Sequence, residues 1–218
     1  MVADRSCYYL AVRSENDPDG QRPPSFIEAA RRAQIVQCAI DTIAELGYGR
    51  ASLARIAGRA GVSKGVISYH FAGKDDLIEQ VVASVLEAAR AEMIPAIEAE
   101  PTARGKLRAY IESNLGFMRT HERAVRALVE IASGSAPEGV PTLDLIGRED
   151  AVAALQRILR LGQQSGEFED FSTRVMAVSI RSAIDAVPAQ LMADPDLNVE
   201  GYARELADLF DRASAGRA

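Results

Sequence analysis

Apolar residues recur at three- and four-residue steps along most of the chain after residue 24. Phe26, Ala29, Ala33, Val36, Ala39, Ile40, Ile43 and Leu46 form the first such stripe, the pattern of a helix with one buried face. Ser25 precedes the stripe and Glu28 stands three residues on, the pair that a capping box uses. Gly47 and Gly49 follow, and glycine tolerates the turn that ends a helix. Two short helices are predicted next. Ser52 caps one that runs to Arg59, and Ser63 caps one that runs to His70, with Ala60-Gly61-Val62 as the turn between them. Gly73-Lys74-Asp75-Asp76 opens a long helix to Ala99, which Pro95 should end or kink. Further helices are expected over 102–120, 122–132, 142–164, 172–192 and 199–213, separated by breaker-rich loops at 134–141 and 162–171.

No segment alternates as a strand does, and aromatic residues make up only 6%, against the enrichment that strands show. The expected fold class is all-α, with about nine helices and no internal repeat. Residues 1–24 carry Ser14-Glu15-Asn16-Asp17-Pro18-Asp19-Gly20 and Pro23-Pro24 without periodicity, and read as a disordered tail. A short strand over Cys7–Val12 is the competing expectation there. No run approaches the ~18 apolar residues of a membrane span, and no secretory leader is visible, so a cytoplasmic location is expected.

The segment from Ser52 to Phe71 has the layout of a helix-turn-helix. Leu53, Ile56 and Ala60 share one face of the first helix, Val62 and Ile67 meet them across the turn, and Gly61 supplies a backbone that larger residues resist. In such a motif the second helix enters the DNA major groove. Its outward positions here are Ser63, Lys64, Gly65, Val66 and Ser68, followed by Tyr69 and His70. Lys64 suits a phosphate or guanine O6/N7, Val66 a thymine methyl, and Gly65 a close approach of the helix start. Tyr69, His70 and Lys74 suit phosphates, which position rather than specify. The Ser52 hydroxyl and nearby amides suit another phosphate. Taken one at a time, Ser63, Gly65 and Tyr69 fit simple caps and packing equally well.

The ordered run Ile56-Ala57, Ala60-Gly61-Val62-Ser63-Lys64-Gly65, Ile67, Tyr69-His70-Phe71, Lys74 and Leu77 resembles the TetR family of transcriptional regulators, over residues 26–80. Ser68 departs from it where many members carry an aromatic residue, and Ala54 where some carry a polar or basic base-reader. The resemblance implies a homodimer on a palindromic operator, usually a repressor, with a C-terminal domain that binds a small inducer. It divides the chain into a tail (1–24), a helix-turn-helix DNA-binding domain (25–74) and a ligand-binding and dimerisation domain (75–218). It also implies a four-helix dimer interface, for which the alanine-rich helices near 142–164 and 172–192 are the candidates. An intrachain core would use the same residues.

A ligand pocket is expected among helices 75–99, 102–132 and 142–192. Tyr110, Asn114, Phe117, Met118, His121, Leu128, Ile131, Met176 and Arg181 are its candidate lining residues, with Asp185 four residues from Arg181 and able simply to pair with it. Their Met, Phe and Ile content points to an apolar effector of unknown identity.

Charge first argues against this reading. The chain of 218 residues has a net charge of −6. Residues 21–74, however, hold eight basic residues (Arg22, Arg31, Arg32, Arg50, Arg55, Arg59, Lys64, Lys74) against three acidic (Glu28, Asp41, Glu45), a net +5. Residues 1–20 carry −2 and residues 75–218 carry −9. DNA affinity depends on the charge that faces phosphate, not on the whole-chain average.

Other chemistries lack their residues. His121-Glu122 begins a zinc-protease string, but Val125 stands where the second histidine is needed. Gly47-Tyr48-Gly49 follows a helix and not a strand, unlike a dinucleotide loop. Cys38 reads as a packing thiol, and Cys7 lies in the tail. No catalytic set, metal site or cofactor is expected. The alternative to a regulator is an all-α protein-interaction module without ligand response.

Overall fold

A computed structural model describes residues 25–133, 148–194 and 196–215. The expected tail, with its competing strand and Cys7, lies outside these residues, as do Arg22 and the first part of the helix expected over 142–164. Ten α-helices are described: α1 (Phe26–Leu46), α2 (Leu53–Ala60), α3 (Lys64–His70), α4 (Lys74–Ala99), α5 (Ala103–Thr120), α6 (Glu122–Ser133), α7 (Arg148–Ser165), α8 (Thr173–Asp185), α9 (Val187–Ala193) and α10 (Val199–Ser214), with a 3₁₀ turn at Tyr48–Arg50.

The expected starts are capped as the sequence suggests. Ser25 and Glu28 form a complete capping box on α1. Ser52 accepts from the Arg55 amide and Ser63 from the Val66 amide. Gly47 and Gly61 take positive φ, at 83° and 66°, where the chain turns out of α1 and α2. α4 ends at Ala99 as expected, with Pro95 inside it. One boundary differs from expectation. The single helix expected over 172–192 is two, divided at Ala186, because Pro188 has no N–H to give to the Ile184 carbonyl four residues back.

The helices pack around two apolar cores. The first joins Ile35, Ile43, Ile56, Ile67, Phe71, Leu77 and Val81 to Phe117, Ala127 and Ile131. It therefore runs from the helix-turn-helix through the start of α4 into α6. The second joins Leu107, Ile111 and Leu115 of α5 to Leu155, Leu159, Ile180, Ile184, Val187 and Phe210. Between the cores α6 lies against α1, where Arg123 pairs with Asp41 at 3.5 Å. α10 is fastened along α5 by Arg104–Asp211 (3.1 Å), Arg108–Asp208 and Arg119–Glu200 (2.7 Å).

α1 buries its stripe only from Ile35 onward. Phe26 and Ile27 are 89% and 76% exposed, and Ala29 and Ala33 are also exposed. The first turns of α1 project past the core and are tied down by polar groups instead. The segment Thr173–Ala193, contrary to the expectation of no such run, is long and apolar enough by composition to cross a membrane. Its Ala177, Ile180, Ile184 and Val187 are fully buried in the second core, although only 22% of its apolar stretch is buried.

Candidate nucleic-acid interface

α3 buries only Ile67 and is held at both ends. At its start the Ser63 cap ties the helix to its own turn. At its end the Arg32 guanidinium donates to the His70 carbonyl (2.5 Å) and lies 4.4 Å over the Phe71 ring. The Gln34 amide donates to the Ala60 carbonyl at 3.2 Å, which fixes the end of α2. A short helix with one buried side chain is positioned by its caps and by these bonds from α1.

Ser63, Lys64, Gly65, Ser68 and Tyr69 are exposed on one continuous surface. Ser52 is exposed at the start of α2. A Cβ placed on Gly65 would meet only the Ser63 hydroxyl, at 3.6 Å, an ordinary contact. Nothing within the fold requires glycine there.

Three other expected DNA contacts are occupied within the protein. Val66 is half-buried and packs against the first core. His70 is half-buried, with Tyr69 edge-on to its ring at 5.0 Å. Lys74 donates to the Tyr48 carbonyl (3.0 Å) and sits 4.1 Å over the Tyr48 ring. Burial pushes its ammonium below the usual lysine value, with nearby Asp75 opposing. A guanidinium in the same region, Arg59, pairs with Glu45 at 2.5 Å, and that bond raises its pKa. By contrast Arg50 and Arg55 are exposed and flank Ser52, and among the described residues their side chains donate to backbone, Arg50 to the Leu46 carbonyl and Arg55 to the Arg50 carbonyl. In the sequence these two residues stand out only as charge. Their spacing around the Ser52 cap was the available signal.

Tyr69 also has a partner. Its hydroxyl donates to the Glu28 carboxylate at 3.1 Å. The Ser25 amide, the Ser25 side chain and this hydroxyl hold Glu28 below the usual carboxylate range, and the same bond pushes Tyr69 up.

The expected effector residues divide between the two cores. Phe117, Leu128 and Ile131 belong to the first core or pack on it. Tyr110, Met118 and Met176 belong to the second or pack on it. His121, at the α5–α6 junction, stacks on Phe117 at 4.2 Å and meets Glu92 at 3.2 Å. Asn114 and Arg181 come together in the second region. The Asn114 amide donates to the Tyr110 carbonyl (2.8 Å), and Arg181 donates to the Asn114 oxygen (3.2 Å) and to Asp185 (2.5 Å). Arg148 shares Asp185 at 3.2 Å. Side chains four residues apart, Arg181 and Asp185, thus form the simple helix pair that their spacing allowed, extended across to α5 and α7.

A family model described as bacterial regulatory proteins, tetR family, matches residues 35–81. The HTH-type transcriptional regulator BetI of Cronobacter sakazakii is 30% identical over 197 residues, which span 87% of this chain and 93% of that protein. BetI 1 of Chromohalobacter salexigens is 44% identical over 64 residues, 29% of this chain and 32% of its own length. Among solved structures, a tetR-family regulatory protein from Rhodococcus RHA1 is similar with a TM-score of 0.72 at 19% identity, covering 86% of this chain and 98% of that one. FadR from Bacillus subtilis, solved with stearoyl-CoA, is similar with a TM-score of 0.71 at 24% identity, covering 82% and 96%. With the capped helix-turn-helix and the exposed face of α3, these similarities establish that the chain belongs to the tetR family of bacterial regulatory proteins and is a helix-turn-helix transcriptional regulator.

Proposed function

We propose that the chain is a cytoplasmic homodimeric repressor that acts by binding and not by catalysis, and that a small apolar effector releases it from a palindromic operator. The observation that carries the reading is the exposed α3 face of Ser63, Lys64, Gly65, Ser68 and Tyr69, with Ser52, Arg50 and Arg55 beside it. Residues 25–74 would meet DNA, and residues 75–218 would bind the effector and the second protomer. Leu161 of α7 and Val175 and Val178 of α8 are exposed large apolar side chains, which supports self-association through those helices. A two-fold dimer would set the two α3 helices one DNA turn apart, ~34 Å. An apolar effector fits the Met and Ile content around Tyr110 and Asn114, and FadR, of similar fold, was solved with an acyl-CoA.

Fluorescence anisotropy against a duplex from the chain's own promoter, beside random DNA at matched salt, tests the reading. Specific binding should be tighter by roughly 10³-fold or more. Equal affinity for the two duplexes would overturn it. Light scattering should give a dimer that Val175→Glu dissociates, and a stable wild-type monomer would overturn the dimer.

A further inference from the structure

Glu28 sits awkwardly on a DNA-binding face. Its Oε1 accepts a hydrogen bond from the Tyr69 hydroxyl (3.1 Å) and its Oε2 accepts one from the Ser25 amide (2.8 Å). The carboxylate is thereby fixed on the first turn of α1, beside the last turn of α3. A phenol has one proton to donate. While Glu28 holds it, Tyr69 cannot give it to a phosphate. A phosphate near Tyr69 would also lie well within the ~8 Å over which charges interact at physiological ionic strength. Two other ties between this part of α1 and the motif end on backbone carbonyls and a buried ring, Arg32 on the His70 carbonyl and the Phe71 ring and Gln34 on the Ala60 carbonyl. Glu28 alone of the three engages an exposed side chain of α3.

We infer that Glu28 is an acidic latch on the recognition helix: it holds the Tyr69 hydroxyl in the free protein and yields it to a DNA phosphate on binding. This rests on the DNA-binding face proposed above. The latch has two consequences. It keeps Tyr69 in one place before DNA arrives, and its charge opposes phosphate, so unselective binding is weakened along with binding to the operator. Glu28 is a positioning residue, acting through Tyr69.

Glu28→Gln separates charge from position. Glutamine retains an oxygen for Tyr69 and also serves the capping box, so the variant should fold. The probe is the duplex recovered by selection from a random-sequence library, compared with random DNA across a salt series. Glu28→Gln should tighten both roughly three- to ten-fold. It should also steepen the dependence of log affinity on log salt by about 0.9 per protomer, the effect of one more net positive charge facing phosphate. A purely structural tether would leave that slope unchanged. Tyr69→Phe should weaken binding, and on that background Glu28→Gln should still steepen the slope. If wild type prefers no selected duplex, the DNA-binding reading fails. If wild type binds one and Glu28→Gln leaves affinity and slope unchanged, the latch alone is wrong.

Discussion

Gly65→Ala adds one methyl group to the centre of the proposed interface and almost nothing to the fold. Gly65 has no positive φ, so alanine meets no backbone strain. The added carbon would touch only the Ser63 hydroxyl, at 3.6 Å. In a helix interior alanine is favoured over glycine by ~0.8–1 kcal/mol, and at the second residue of a seven-residue helix about half of that is a fair expectation. In a chain of this size the melting temperature should stay level or rise by roughly 1–2 °C. Binding should change in the opposite direction. If DNA comes as close to the helix start as a glycine permits, the methyl is an overpacking defect of about 1–3 kcal/mol, a loss of roughly five- to 160-fold. Thermal melts and anisotropy on the same preparations decide the matter. Unchanged operator affinity would remove Gly65 from the interface. A fall of several degrees would show that the fold needs the glycine and that the site gives no reason to invoke DNA.

Lys64→Ala should weaken operator binding by roughly 1–3 kcal/mol if the lysine reads a base, and anisotropy on random DNA should then show a smaller loss; equal losses would assign it to phosphate. Gly162→Ala would place a Cβ 2.0 Å from the buried Phe168 ring, so a destabilisation of about 1–3 kcal/mol is expected, and calorimetry should show it partly relieved by Phe168→Leu. Glu167 reaches from the α7–α8 connection to accept the Ala103 and Arg104 amides at 3.1 and 3.0 Å, so Glu167→Ala should cost about 0.5–2 kcal/mol as the loss of a helix cap. The Arg104 amide lowers the Glu167 pKa, so its stabilisation is full above the unfolded value of ~4.3 and fades as pH falls through the folded value. Urea melts should therefore show the difference between wild type and Glu167→Ala narrowing below about pH 4, and a difference independent of pH would refute the cap.

The helix-turn-helix was legible because short-range rules govern it. Ser25, Ser52 and Ser63 cap helices through bonds three residues away, and Gly61 turns the chain locally, so spacing alone located α1 to α3. The exposed turns at the start of α1 were not legible. Phe26, Ala29 and Ala33 continue the apolar period, and periodicity cannot say where a partner surface ends. The ties that replace burial there, from Glu28 to Tyr69 and from Arg32 to His70, span 41 and 38 residues. The division of the effector candidates between two cores was hidden for a related reason. Phe117 and Met118 are adjacent in sequence and lie in different cores, because neighbours on a helix point about 100° apart and α5 touches both. Pro188 was visible, but its position next to the α8–α9 break becomes decisive only once the helix register is known.

Local charge needed the same refinement that burial did. Residues 21–74 carry eight basic side chains, yet a basic residue contributes to DNA binding only if its charge is free to meet phosphate. Arg59 faces Glu45, Lys74 is folded onto Tyr48, and Arg32 is held between the His70 carbonyl and the Phe71 ring. Among the described residues of this segment, Lys64, Arg31, Arg50 and Arg55 remain, each exposed and without a carboxylate partner. A dimer would then neutralise about eight phosphates and show a log–log salt slope near −7, whereas all eight basic residues per protomer would give roughly −14. Operator titrations between low and moderate salt measure that slope directly. A value near −9 would mean that Arg22 joins the interface, and one steeper than about −10 would mean that internal contacts of Arg32, Arg59 and Lys74 open on DNA. A value near −7 would mean that the three contacts persist on DNA and that much of the basic character of the segment serves to hold α1, α2 and α3 together.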